Sequence, residues 1–273
     1  HMGLSFNKRL MLMCEKKSNS LCIGLDIDPD KMRPSSDKSI LGLELFGKDV
    51  IDATIDFCPV YKPNFAFYER FGSKGYSILE NLVSHIDNRA IVIADAKRGD
   101  IGNTCKQYSS SILDKMGCDA ITISPYMGED SIVPFIDNTD KGVFILAVTS
   151  NDSAINIQSH GTSDLPLYKK IIQMGSELNI NNNIGFVVGA TKTNMMEDIR
   201  DLSFGMPWLI PGVGSQGGDL EEALQISSKN GMGIINVSRG ILYSGDGTIN
   251  DIVDSAKKYT NRIREIIWNQ TKY

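Results

Sequence analysis

Short apolar runs alternate with helix-like stretches eight times along this 273-residue chain, and that rhythm restricts its possible folds more than any other feature. The runs sit at Leu21–Leu25, Phe57–Lys62, Ile91–Lys97, Ala120–Ser124, Val143–Thr149, Ile184–Gly189, Trp208–Pro211 and Gly233–Val237. Several are apolar throughout, as strands are when both faces of their sheet are covered. Helical stretches follow each run, over Leu41–Phe57, Phe65–Ile86, Gly102–Met116, Gly128–Ile136, Leu167–Leu178, Asn194–Leu202, Leu220–Lys229 and Ile249–Trp268, and Leu4–Lys17 predicts a leading helix. Strict alternation of this length is the pattern of a closed parallel (β/α)8 TIM barrel. An open doubly wound sheet is the competing arrangement. The count of eight, and the lack of a G-x-G-x-x-G after the first run, favour the barrel. The expected organisation is one domain over residues 3–273, with His1-Met2 reading as a cloning remnant.

Composition narrows the function classes. A hydrophobic fraction of 41% and a charged fraction of 22% suit a globular protein with a sizeable core. A net charge of −5 argues against a general nucleic-acid binder, although a cationic pocket for a small anion can sit in an acidic protein. The five cysteines form no C-x-x-C pair, which predicts free thiols in a reducing compartment. No apolar run reaches membrane-spanning length and no signal-peptide pattern opens the chain, so the expected setting is the cytoplasm, away from membranes.

In such a barrel the chemistry gathers where strands end, and the polar residues here fall at those places. The third run, IVIADAKRGDIGNT from Ile91 to Thr104, is the most informative. Ile93, Asp95 and Lys97 share one strand face, so a carboxylate and an ammonium stand side by side at the end of a buried strand. Buried charge is costly unless it is paired or used. Asp100 follows just beyond. The first run ends at Asp26, the second at Lys62 with Asn64 in phase, the fifth at Thr149-Ser150, and the eighth runs into Ser238-Arg239-Gly240. After the seventh comes PGVGSQGGD, Pro211–Asp219, whose glycines would let backbone N–H groups approach an anion. Gln216 can donate from its amide and Arg239 can grip phosphate oxygens in bidentate fashion.

Each of these residues has a plainer reading. Asp100 could be a helix N-cap, Lys62 and Asp95 a structural ion pair, Asp26 a loop cap, the glycines a tight turn and Arg239 a surface residue. Asp26, Asp28 and Asp30 imitate a calcium loop, but Lys31 stands where the glycine is needed and Asp37 where the bidentate glutamate is needed, which rejects calcium. His85 on a helix and His160 in a loop read as solvated, and with His1 set aside no histidine metal cluster exists. Trp208 and Trp268 read as packing residues.

DAKRGDIGNT, Asp95 to Thr104, closely resembles the D-x-K-x-x-D-I-G-N-T signature of the orotidine 5′-monophosphate decarboxylases, and Arg98-Gly99 resembles the branch often called type 2. YKPNFAFYE, SPYMGED, TSN, PGVGSQGGD and VSRGI resemble further blocks of that branch in the same order, from Gly24 to Ile241. The resemblance implies a barrel that converts orotidine 5′-monophosphate to uridine 5′-monophosphate and CO2 in pyrimidine synthesis, without metal or organic cofactor. It also implies a homodimer with sites at the interface. By motif it carries over Lys62, Asp95, Lys97 and Asp100 as an alternating charged network, with Asp100 and Thr104 reaching the partner's site at the ribose end. Asp26 and Lys62 would hold ribose hydroxyls, Ser150 the pyrimidine edge, and Gln216 and Arg239 the phosphate, helped by backbone N–H groups near Ser238. Ser238 stands where some relatives have glycine, a change the backbone contact survives, and Asn64 belongs to the branch pattern as a further contact. Two rivals remain: a magnesium-dependent sugar-phosphate decarboxylase or aldolase with the same strand motif, and a catalytically silent nucleotide-binding protein. A chelator test separates the first, and the full set of four network residues argues against the second.

Overall fold

A computed structural model describes residues 3–190, 193–213 and 218–269. Eight parallel strands close into a barrel in chain order: β1 (Leu21–Gly24), β2 (Val60–Lys62), β3 (Ile91–Arg98), β4 (Ala120–Ile123), β5 (Gly142–Val148), β6 (Ile184–Val188), β7 (Pro207–Ile210) and β8 (Met232–Val237). Closure is made by β1, which pairs with β2 through Ile23↔Tyr61 and with β8 through Cys22↔Asn236. The (β/α)8 architecture expected from the alternation is therefore the one observed.

Local departures from the expected helices have identifiable causes. The single helix expected over Phe65–Ile86 is two, Ala66–Glu69 and Ser73–Ile86. Gly72 breaks them at φ 62°, a left-handed backbone that glycine adopts without a side-chain clash. A Cβ on Gly75 would lie 1.8 Å from the Tyr68 carbonyl oxygen, so the two helices meet closer than any other residue would allow. The stretch expected as one helix over Gly128–Ile136 is a 3₁₀ turn, Glu129–Ser131, followed by a short α-helix, Val133–Ile136. Pro134 sits at its opening turn, where a missing N–H costs nothing. The polar stretch after β5 also holds two helical turns, Asp152–Ala154 and Ile155–Gln158. Ile249–Ile263 opens with a reciprocal capping box between Thr248 and Asp251. His85 is not simply solvated: its Nε2 lies 2.7 Å from Asp52 Oδ1. Trp208 is a packing residue, fully buried, with its indole N–H donated to Ser203 Oγ at 2.9 Å.

The core has two concentric parts. The outer part lies between strands and helices and takes the outward residues, among them Ile23, Tyr61, Val92, Ile121 and Ile145. The inner part fills the barrel with Cys22, Val60, Ile91, Ile93, Ala120, Phe144, Val187, Leu209 and Ile234. The leading helix, Phe6–Lys17, closes this interior from below by inserting Phe6, Leu10 and Cys14. Phe6 meets Phe144 edge to face at 6.0 Å and lies directly on Gly142, where a Cβ would fall 2.0 Å from its ring. The N-terminal end of the barrel is thus sealed with hydrocarbon, and polar groups are left to the other mouth. Phe6→Ala opens this plug, and a loss of about 3–5 kcal/mol in unfolding free energy is expected, measured by urea denaturation.

Candidate active site

Strand side chains alternate, so the inward positions above the plug can be counted off. Above Cys22 come Gly24 and Asp26; above Val60 comes Lys62; above Ile93 come Asp95 and Lys97. Above Ala120 comes Thr122, and above Ile234 come Asn236 and Ser238. The charged groups are the next inward layer of the same strands, stacked directly on hydrocarbon.

Asp95 is the centre of this layer. Its Oδ2 accepts from Lys62 Nζ at 2.7 Å and its Oδ1 from Lys97 Nζ at 2.7 Å. The Thr122 hydroxyl donates to the same Oδ1 at 2.9 Å and accepts the Lys97 backbone N–H at 3.0 Å. Burial alone would raise the Asp95 pKa, but the Lys62 and Lys97 ammoniums outweigh it and hold the carboxyl well below its usual range. Burial likewise pulls Lys62 down, yet Asp95 and Asp26 carry it above the ordinary lysine value. Asp95 and Lys62 are therefore both charged at neutral pH. The two ammoniums differ in access: the Lys62 side chain is 6% exposed, the Lys97 side chain 50%. Lys97 can reach a ligand. It lines a cavity of about 200 Å³ together with Lys62, Asp95, Thr122, Thr149 and Ser150.

Beside it lies a larger cavity of about 700 Å³, walled by Asp26, Lys31, Gly212, Ser238, Arg239 and Tyr243. A Cβ built on Gly212 would stand 3.5 Å from Ser150 Oγ, so the two cavities adjoin. Asp26 Oδ1 is buried without a hydrogen-bond partner. Burial raises the Asp26 pKa, with Lys62 and the Ser238 hydroxyl pulling against it. Its main-chain oxygen accepts from Tyr243 Oη at 2.7 Å. Gly24 makes room for Ser238, whose Oγ would lie 1.8 Å from a Cβ there. Arg239 opens the short helix Arg239–Leu242 and is exposed at the cavity wall, so its guanidinium is available to an anion.

The remaining expected residues scatter. Asn64 pairs with Asp95 through its backbone, and its side-chain oxygen accepts from Ala66 N at 3.2 Å, just ahead of the helix after β2, whose N-cap is Phe65. Asp100 is not the N-cap of the helix after β3: that place belongs to Ile101, and the Asp100 carboxylate accepts from Ile101 N at 2.8 Å. Within one chain the charged network is Lys62–Asp95–Lys97, and Asp100 stands half-buried outside it with Thr104 exposed beyond. Gln216 lies outside the described residues. Thr122, Lys31 and Tyr243 were not legible as site residues. A lone threonine in the apolar run AITI was the one signal for Thr122; nothing marked the other two. Among the described residues no three His, Cys, Asp or Glu side chains converge as a ligand set for a metal ion.

A lysine–aspartate–lysine network at the C-terminal mouth, beside an arginine-walled pocket, defines a (β/α)8-barrel enzyme. Residues 19–250 match the model of the "Orotidine 5'-phosphate decarboxylase / HUMPS family". The chain is 41% identical to the orotidine 5′-phosphate decarboxylase of Dehalococcoides mccartyi strain BAV1, covering 97% of each. It is also 41% identical to that of Christiangramia forsetii, over 85% of this chain and 87% of the relative. The solved structure of Leishmania donovani OMP decarboxylase superposes with a TM-score of 0.84 at 32% identity, covering 96% of this chain and 98% of that one. The chain belongs to the orotidine 5′-phosphate decarboxylase family.

Asp95→Asn leaves the buried Lys62 ammonium without its counter-ion, and a loss of about 3–5 kcal/mol is expected. The folded-state pKa of Asp95 is depressed, so its contribution is present above the unfolded value and lost as pH falls through the folded one. The gap between wild type and variant in chemical denaturation should therefore hold through neutral pH and narrow only below about pH 4.

Proposed function

We infer that the chain decarboxylates orotidine 5′-monophosphate to uridine 5′-monophosphate and CO2, a step of pyrimidine nucleotide synthesis, in the cytoplasm. The observation that carries this reading is the exposed Lys97 ammonium fixed against buried Asp95 in the lining of a small cavity that lies beside an arginine-walled one. Loss of CO2 from C6 of the pyrimidine leaves an electron pair in a ring-plane orbital with little delocalisation. A cation already in place stabilises that pair as it forms. Lys97 fills that role and then donates its proton to C6. Asp95, bound by both ammoniums and Thr122, keeps Lys97 aimed. Ser150, on the rim of the small cavity, meets the pyrimidine edge. Asp26, with its unpartnered oxygen, and Lys62 hold ribose hydroxyls, with Asn64 at the edge of this group. Arg239 and the backbone at Ser238 hold the phosphate, with Gln216 completing the grip. Anchoring far from the breaking bond supplies binding energy that raises turnover. The five cysteines are free and buried, which suits a reducing compartment, and no helix among the described residues is long and apolar enough to cross a membrane.

The active form in this reading is a homodimer. Ile101 is 51% exposed and Tyr126 87%, with Met127 and Val133 also exposed. The helices Gly102–Ser109 and Val133–Ile136 pack on each other, so these apolar groups border one surface that also carries Asp100 and Thr104. A second copy covering that surface would receive Asp100 and Thr104 at its own ribose site.

Lys97→Ala should abolish turnover in an ultraviolet assay with orotidine 5′-monophosphate while uridine 5′-monophosphate still binds; near-normal decarboxylation would remove Lys97 from the proton-donor role. Mixing inactive Lys97→Ala and Asp100→Ala chains should restore activity to about a quarter of wild type, because random pairing leaves one intact site in half of the dimers. Silence of the mixture would rule out the shared site.

A further inference from the structure

Arg98 stands inside the signature segment, yet the chemistry above does not use it. Its surroundings are those of a built-in part. Its Nη2 lies 2.6 Å from Glu69 Oε1, and its Nη1 donates to the Ala96 carbonyl at 3.0 Å. The guanidinium carbon sits 5.7 Å from the Phe65 ring centroid and 5.4 Å from that of Tyr108. Its Nε is buried without a hydrogen-bond partner, a desolvation cost that a surface arginine does not carry.

The backbone explains the need. Ala94 pairs with Ile121 and Arg98 with Ile123, so β3 takes four steps where β4 takes two. The surplus residues bulge from the ladder, and among them are Asp95 and Lys97. Lys97 adopts φ 47°, a left-handed conformation that costs a residue bearing a Cβ. Bulges re-aim side chains, and this one turns Lys97 back onto the carboxylate two residues before it. Arg98 is where the ladder resumes: its carbonyl accepts from Ser124 N at 2.8 Å. Its side chain then reaches back to the bulge carbonyl of Ala96 and across to the segment after β2. There, Phe65 N donates to the Asp95 carbonyl at 3.2 Å. One guanidinium thus ties the bulge that carries Lys97 to the segment that leaves Lys62.

We propose that Arg98 is a positioning residue for the decarboxylation: it locks the β3 bulge so that the Lys97 ammonium stays against Asp95. The proposal rests on the reading of Lys97 as proton donor. Lysine cannot replace it, because a point charge can pair with Glu69 but lacks the planar fork that reaches Ala96 and fits between two rings.

The test uses full-length Arg98→Lys and Arg98→Ala, with Lys97→Ala alongside. In Arg98→Lys, kcat should fall at least about tenfold with KM within about threefold of wild type, as expected when a reacting group is misplaced while substrate binding is kept. Affinity for uridine 5′-monophosphate should be unchanged. In Arg98→Ala, tens of millimolar guanidinium chloride should restore part of kcat, and equal sodium chloride should not. A wild-type kcat in Arg98→Lys overturns the proposal, as does a fall in kcat matched by an equal fall in nucleotide affinity, or the absence of guanidinium rescue. Failure of the underlying reading is separate: it shows as decarboxylation surviving in Lys97→Ala, whatever the Arg98 variants do.

Discussion

The Lys62–Asp95 contact is the constraint from which the rest of the site follows. Both groups are withdrawn from water, at 6% and 9% side-chain exposure, directly above the hydrocarbon that fills the barrel. Removing two charges from solvent costs several kcal/mol each unless geometry and further hydrogen bonds offset it. Here the offset is specific. Asp95 receives two ammoniums and a hydroxyl, which accounts for both of its oxygens. The reward is not stability, since a hydrophobic replacement of similar volume is often as stable. It is placement: a carboxylate fixed this firmly can hold a third, solvent-facing partner, Lys97, in one position.

Placement of this kind depends on the asymmetry of the barrel. Phe6, Leu10 and Cys14 seal one end, so alternation along β2, β4 and β8 carries the inward positions from apolar to polar within a single step, while Leu146, Val187 and Leu209 keep the facing wall apolar. Lys62 follows Val60, Thr122 follows Ala120, and Asn236 follows Ile234. No loop is required to deliver the network, and elements buried in the sheet hold side chains more rigidly than loops do. The wall that carries Arg239 is built differently. Arg239 and Ser238 come from the turn that leaves β8, and Tyr243, four residues beyond Arg239, grips the main chain after β1 from the Asp26 carbonyl to the Asp28 N–H, each at 2.7 Å. In the proposed reaction the rigid floor serves the bond that breaks, and the outer wall serves recognition.

Between Ala94 and Thr104 the chain serves two directions. Asp95 and Lys97 point into their own barrel, while Asp100 and Thr104 stand outside the network of their own chain. In the proposed dimer they complete the neighbour's site, and Arg98 is the fixed point between the two halves. Residual exposure of Ile101 and Tyr126 on the same side is then the apolar part of the shared surface.

Much of this is legible in the sequence. Eight apolar runs in strict alternation define the barrel because both faces of a parallel sheet are covered. The parity of Ile93, Asp95 and Lys97 puts a carboxylate and an ammonium on one strand face, because strand side chains alternate. Helix ends are less legible: the break before Ser73 is set by the positive φ of Gly72 and the close approach of Gly75 to Tyr68, and the late start at Val133 by Pro134, not by periodicity. Thr122 and Tyr243 could not be found from the sequence, since each acts on residues distant in the chain, Asp95 and Asp26. The sequence groups Asp100 with the charged network, but the folded chain leaves it outside the ion pairs of Lys97, which stands three positions before it. The sequence determined the order of the elements and the chemical types at the barrel mouth, because these follow from local periodicity. Which of those groups touch was decided by the tertiary structure alone, because closing the barrel and bulging β3 bring them together across distances that no spacing records.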